Sequence, residues 1–156
     1  MSKAATELRR SVQSFVRAFG LLSGDQTPCG QPLAPSHAHA LLVLLERGRQ
    51  EPPAALKQQD LAVALGLDKS SITRLCTKMV DAGHLQQRDS KTDGRAWALT
   101  LSAKGKRVAE TIEEASKARF RRLADALPTG IAATDVVHML EVLTAAVVSS
   151  AERKTQ

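Results

Sequence analysis

Aromatic residues are nearly absent from this chain: three Phe, one Trp and no Tyr in 156 residues. A core must therefore be filled by Leu, Val, Ala and Ile, and an Ala/Leu-rich composition favours helices. Cysteine is as scarce. Cys29 and Cys76 cannot make a disulfide framework and fit a reducing compartment. No uninterrupted apolar run reaches the roughly 18 residues that span a bilayer, so no membrane-crossing helix and no membrane partner are expected. The first 22 residues are broken by Glu7, Arg9, Arg10, Gln13 and Arg17 and lack the apolar stretch of a secretory signal. A cytoplasmic protein is expected. Catalytic motifs are missing too: the chain has no phosphate-binding Gly-Lys loop, no dinucleotide fingerprint, no Gly-x-Ser-x-Gly and no His-Glu-x-x-His. Neither an enzyme nor a cofactor is expected.

What is present is an ordinary globular composition, 43% hydrophobic and 24% charged, with an uneven distribution of charge. The net charge is +6. Residues 68–107 hold nine Lys/Arg (Lys69, Arg74, Lys78, Arg88, Lys91, Arg95, Lys104, Lys106 and Arg107) against four acids, Asp68, Asp81, Asp89 and Asp93. Most of the excess positive charge thus falls in about a quarter of the chain, as a polyanion-binding surface requires.

Periodicity divides the chain into helices around a short hairpin. Leu8, Val12, Phe15, Phe19 and Leu22 share one face of a first helix, Ala4 to Leu22. A loop rich in Gly and Pro leads to a second helix beginning at Pro35 or Ser36 and ending at Gly48. Its run from His39 to Leu45 is apolar nearly all round, which marks a central, buried helix. A short helix over Gln58–Leu65 closes at Gly66, and another from Asp68 or Lys69 to Ala82 closes at Gly83. Two strands, His84–Arg88 and Ala96–Leu101, flank the turn-forming cluster Asp89-Ser-Lys-Thr-Asp-Gly94. Ser102 caps a long helix over Ala103–Ala126. After Pro128-Thr-Gly130 a last helix runs from Ile131 or Thr134 to Glu152, with Val136, Leu140, Leu143 and Val147 on one face. Long apolar faces at both ends of so small a chain call for a partner, and a second copy related by two-fold symmetry is the natural one.

The stretch Gln59 to Leu75 carries the functional reading. Leu61, Ala62 and Leu65 line the inner face of one helix, Gly66 supplies a positive φ at the turn, and Leu67 plugs the corner. Ile72, Leu75, Cys76 and Met79 bury the inner face of the next. Left outward are Lys69, Ser70, Ser71, Thr73, Arg74 and Lys78. Short hydroxyls allow close approach to phosphates or base edges, the helix N-terminus offers N–H groups to phosphate, and Arg74 can pair with guanine through two parallel hydrogen bonds. The basic hairpin beside this helix, with Arg88, Lys91 and Arg95, suits backbone or minor-groove contacts.

The segments Leu61-Ala, Leu65-Gly-Leu, Ser71-Ile-Thr-Arg-Leu, Ala82-Gly-His-Leu, Arg88, Asp93-Gly-Arg95 and Leu99-Thr-Leu-Ser-Ala-Lys-Gly105, in this helix order, resemble the MarR family of bacterial and archaeal regulators. Lys57, where the family often has a Ser/Thr cap, and Cys76, at a usually aliphatic position, depart from the pattern. The resemblance implies a mainly α fold with a small two- or three-stranded β wing: a winged helix-turn-helix with flanking dimerisation helices. By similarity, Ser70, Ser71, Thr73, Arg74 and Lys78 map to the recognition helix and Arg88 and Arg95 to the wing, with Asp93 orienting the nearby Arg. Three parts follow: 1–35, an N-terminal dimerisation helix and loop; 36–105, the winged DNA-binding domain; and 106–156, C-terminal dimerisation helices. The implied function is a homodimeric transcriptional regulator, a repressor, on a pseudo-palindrome of double-stranded DNA with half-sites roughly 10 bp apart or a multiple. The alternative is a protein-interaction module on the same scaffold.

Members of this family often bind a small effector, and others sense oxidants or metals. An effector pocket is expected around His37, His39, Leu41 and Phe15. A metal is not expected. Cys29, His37 and His39 are close in sequence, but His37 and His39 lie two apart on a helix and point about 200° from each other. Cys29 is the candidate redox residue, and Cys76 reads as a small core residue.

Overall fold

A computed structural model describes residues 2–51, 56–89 and 97–152. Its elements are α1 (Lys3–Phe19), α2 (Pro35–Gly48), β1 (Leu56–Lys57), α3 (Gln58–Leu65), α4 (Lys69–Asp81), β2 (Leu85–Asp89), β3 (Trp97–Leu101), α5 (Ala103–Asp125) and α6 (Ala133–Glu152). They form two compact units, Met1–Ser116 and Lys117–Gln156, with the boundary inside α5. This grouping differs from the three parts expected from sequence, since α1 and the first half of α5 join the winged-helix segment in one unit.

In the first unit α2 is the axis, as its apolar sequence demands. It packs against α3, α4 and β3. Pro35 opens it, its missing N–H costing nothing in the first turn. Leu41, Leu61, Ile72, Cys76, Met79, Leu99 and Ile112 are the large side chains buried almost completely, one or more from each of α2, α3, α4, β3 and α5. Burying an aliphatic side chain of this size contributes roughly 1.5–3 kcal/mol, so these side chains hold the elements together around one core. Cys76 lies in this core, where burial pushes its thiol pKa up and leaves it unreactive.

The sheet has three strands where the periodicity marked two. The additional strand, β1, is only Leu56–Lys57, too short for any alternation to be read from sequence. The order is β1-β3-β2, antiparallel throughout. Leu56 and Gln87 lie opposite Leu99, and Leu85 lies opposite Leu101. Leu56, Leu85 and Leu99 are buried.

The first helix is shorter than its apolar stripe. Ser2 caps it, accepting a hydrogen bond from the Ala5 N–H, and Gly20 ends it at φ 85°. Leu21 and Leu22 therefore lie beyond the helix. None of its residues is buried; Leu8, Val12 and Phe15 stay exposed, and Phe15 stacks on Phe19 with ring centroids 5.2 Å apart.

In the second unit, Lys117–Gln156, none of the described side chains of α6 is buried. Val136, Leu140 and Val147 of the expected apolar face are exposed, and so are Val137, Met139, Val142 and Val148 outside it. The apolar surface thus wraps further around α6 than one stripe. Its segment Ala133–Ala151 is long and apolar enough, by length and composition alone, to cross a membrane. Asp135, His138 and Glu141 break the run without cancelling its average, so the expectation that no uninterrupted apolar run reaches that length stands.

Candidate nucleic-acid interface

The helix-turn-helix is built by α3 and α4. Gly66 adopts φ 63°, the left-handed conformation a Cβ disfavours, and turns the chain between them. Asp68 caps α4: one carboxylate oxygen accepts from the Ser71 N–H at 2.8 Å and the Ser70 hydroxyl at 2.8 Å, the other from the Ser71 hydroxyl at 2.9 Å. Three donors stabilise the carboxylate and hold its pKa at about 2.

Burial then alternates as the sequence reading requires. Ile72, Leu75, Cys76 and Met79 face the core, while Lys69, Ser70, Thr73, Arg74 and Lys78 are exposed, with Ser71 between the two. Lys69, Ser70, Thr73 and Arg74 line one shallow concavity. Four of the expected recognition residues therefore share one outward concavity, while Ser71 is half-buried and Lys78 lies further along the helix.

The hydrogen bonds change the role of the hydroxyls. Ser70 and Ser71 give their only hydroxyl proton to Asp68. Thr73 gives its own to the Lys69 carbonyl at 2.8 Å, and Thr77, outward but not anticipated, gives its to the Thr73 carbonyl at 3.0 Å. Phosphate needs donors. These hydroxyls instead present lone pairs, which leaves Lys69, Arg74 and Lys78 as the exposed side-chain donors among the expected recognition residues.

The far end of α4 is tied to its surroundings by groups distant in sequence. The His84 N–H donates to the Met79 carbonyl and the Gly83 N–H to that of Val80, closing the helix. Ser102 donates its hydroxyl to the Gly83 carbonyl at 2.6 Å and its N–H to the His84 carbonyl at 3.0 Å. The same hydroxyl caps α5 by accepting from the Gly105 N–H at 2.9 Å, the capping role its position predicts. Lys104 donates to the Ala82 carbonyl at 2.7 Å, so this member of the basic cluster is engaged structurally. Gly105 is required here, because a Cβ would collide with the His84 carbonyl.

His37 and His84 complete this junction. Both are buried, and Nε2 of His37 meets Nδ1 of His84 at 3.1 Å. Burial lowers both pKa values, reinforced at His37 by His84 and Lys78 and at His84 by Lys104. The pair is thus neutral at pH 7, one nitrogen donating and the other accepting. No local pattern could reveal it across 47 positions of sequence.

The residues expected around an effector do not form one lining. His37 is buried against His84, Leu41 lies fully in the core, His39 is exposed on the opposite side of α2, and Phe15 is half exposed on α1. A cleft of about 320 Å³ lies elsewhere, between the end of α2, β3 and the start of α5, lined by Leu44, Leu45, Arg49, Leu99, Leu101 and Lys106 among others. Arg49 there pairs through both terminal nitrogens with Glu113, at 2.8 and 3.1 Å. Cys29 contacts the Thr27 hydroxyl at 3.1 Å. Among the described residues no three His, Cys, Asp or Glu side chains gather as a metal site.

Of the expected wing residues, Arg88 lies on β2 opposite Ala98. Lys91, Asp93 and Arg95 lie outside the described residues.

A family model described as the MarR family matches residues 32–96. No curated protein matches the sequence. Among solved structures, the PcaV transcriptional regulator from Streptomyces coelicolor in complex with its natural ligand is 22% identical, with a TM-score of 0.63 over 92% of this chain and 91% of that one. NadR in complex with 4-hydroxyphenylacetate is 20% identical, with a TM-score of 0.62 over 94% and 93%. A complex of S. aureus MepR with DNA is 16% identical, with a TM-score of 0.50 over 90% and 94%.

Proposed function

We propose that the protein, whose residues 32–96 match the MarR family model and whose fold is that of the solved regulators above, is a non-enzymatic transcriptional regulator of double-stranded DNA. The observation that carries the reading is the division of α4. Its apolar face is locked into the core while Lys69, Arg74 and Lys78 are each exposed, Lys69 and Arg74 sharing one concavity. Arg88 on β2 is assigned to the same DNA-binding role by the sequence resemblance, as are Lys91, Asp93 and Arg95, which lie outside the described residues. The MepR structure, named as a DNA complex, supports the same use of the fold.

The protein acts as a homodimer in the cytoplasm. The exposed apolar residues of α1, and separately those of α6, are faces a second copy covers, and a two-fold dimer matches a pseudo-palindromic operator. Repression follows from occupancy of a promoter. A small effector releases the protein by favouring a dimer whose recognition helices no longer match both half-sites. NadR and PcaV are named with bound small molecules, which supports an effector here, and the cleft between α2, β3 and α5 is its proposed site.

The test is fluorescence anisotropy of the full chain on duplex DNA recovered by selection from a random library, across a salt series. Specific binding that weakens steeply with salt and loses its preference in Arg74→Ala is expected. Binding indifferent to salt and to Arg74 would refute the reading and leave a protein-interaction module.

A further inference from the structure

Gln58 is the first residue of α3 and follows β1 directly. Pairing of Leu56 with Leu99 and of Lys57 with Ala98 fixes the backbone that delivers it. Its side chain crosses to the recognition helix, where Nε2 donates to the Thr73 hydroxyl oxygen at 2.9 Å.

Hydrogen-bond polarity determines which way the amide faces. A threonine hydroxyl has one proton, and that of Thr73 goes to the Lys69 carbonyl at 2.8 Å. Thr73 therefore offers Gln58 a lone pair and nothing else. The amide must turn its nitrogen toward Thr73, which leaves Oε1 and one further N–H for a ligand. Thr73 lies beside Lys69, Ser70 and Arg74 in the concavity on the outward face of α4, and Gln58 itself borders Lys69 in the adjoining groove. The amide is thus held at the edge of the exposed α4 face proposed to contact DNA, and the groove that admits a helix is the major one.

An acceptor and a donor on one planar amide match a single base edge, that of adenine: Oε1 accepts from the N6 amino group and the N–H donates to N7. Building on the DNA-binding reading above, we infer that Gln58 is a specificity-determining residue of this surface, reading an adenine from outside the recognition helix while Thr73 positions it. The arrangement differs from a flexible surface glutamine in one respect. Ordering a free glutamine on a base carries a conformational entropy cost, and Thr73 has already met part of it in the unbound protein.

The experiment is selection of duplex DNA from a random library by the full chain, run in parallel with Gln58→Ala, Gln58→Glu, Thr73→Val and Thr73→Ser. Half-site affinities are then measured on selected DNA with adenines replaced one at a time by 7-deazaadenine, which lacks N7. Wild type should require one adenine per half-site and lose on the order of tenfold or more when its N7 is removed. Gln58→Ala should lose the preference at that position alone and be insensitive to the replacement. Gln58→Glu, which keeps acceptors and lacks the N–H, should shift the preference toward cytosine. Thr73→Val should relax the same position, and Thr73→Ser, which keeps the hydroxyl, should retain the adenine preference there. A misfolded variant would instead weaken all sequences alike.

Gln58→Ala with an unchanged half-site and an unchanged response to 7-deazaadenine would overturn the inference while leaving DNA binding intact. Retention of the adenine preference by Thr73→Val would overturn the positioning role of Thr73. Failure of wild type to enrich any sequence would overturn the DNA-binding reading and the inference with it.

Discussion

Removing one member of the buried histidine pair should destabilise the fold and change how its stability depends on pH. His37 and His84 are 7% and 6% exposed, and their facing nitrogens lie 3.1 Å apart. Phe at His37 keeps the ring and removes the partner, leaving a buried ring nitrogen of His84 without its bond at a cost of about 1–3 kcal/mol. Replacing both by Phe removes the orphaned group and should recover part of that loss. The pH dependence follows from the protons. One proton between the two nitrogens makes the bond; a second places two donors face to face, with Lys78 and Lys104 adding positive charge. Both folded-state pKa values lie below the ordinary 6.5, so the unfolded chain binds more protons as the solution is acidified. The stabilisation is complete above the unfolded value of 6.5 and is lost as pH falls below it. Urea denaturation at fixed protein concentration, at several pH values between 8 and 5, should show a falling midpoint for wild type and a flatter profile for the double variant. Parallel profiles, or a double variant no more stable than His37→Phe at pH 8, would refute the argument.

Two further perturbations test the supports of the recognition helix. Gly105→Ala should drive the start of α5 away from the His84 carbonyl, at a cost of roughly 1–3 kcal/mol or more, visible as a lowered melting temperature at neutral pH. The Asp68 cap should contribute constant stability above the ordinary carboxylate pKa of 3.8 and lose it as pH falls toward about 2. Asp68→Ala should therefore be less stable than wild type at pH 7, with the gap closing by pH 2 in urea melts; a gap unchanged between those values would remove the cap from the account.

Much of the outward face of α4 was legible because it depends on near neighbours. The spacing of Ile72, Leu75, Cys76 and Met79 settles which side of a helix is apolar, and Lys69, Thr73, Arg74 and Lys78 are left on the other. Gly66 and Ser102 were readable for the same reason: a turn and a cap are formed within a few residues of themselves. The donors and acceptors on that face were less legible. The tendency of Ser and Thr to contact phosphate ignores where their protons go, and Asp68 and the Lys69 carbonyl take them first. The placement of the expected effector residues was not legible, because one helix spreads them over different sides, His37 inward and His39 outward.

The sequence by itself determined the order of helices, the helix-turn-helix, the polarity of its exposed face and the concentration of positive charge beside it. All of these arise from periodicity and composition over short stretches. Only the tertiary structure decided that β1 joins the sheet, that His84 meets His37, that Gly105 must lack a Cβ and that Gln58 is aimed by Thr73. Each joins groups from different elements. Whether such groups meet depends on how the apolar faces of α2, α3 and α4 pack and on where buried polar atoms find partners, which no local pattern of residues encodes.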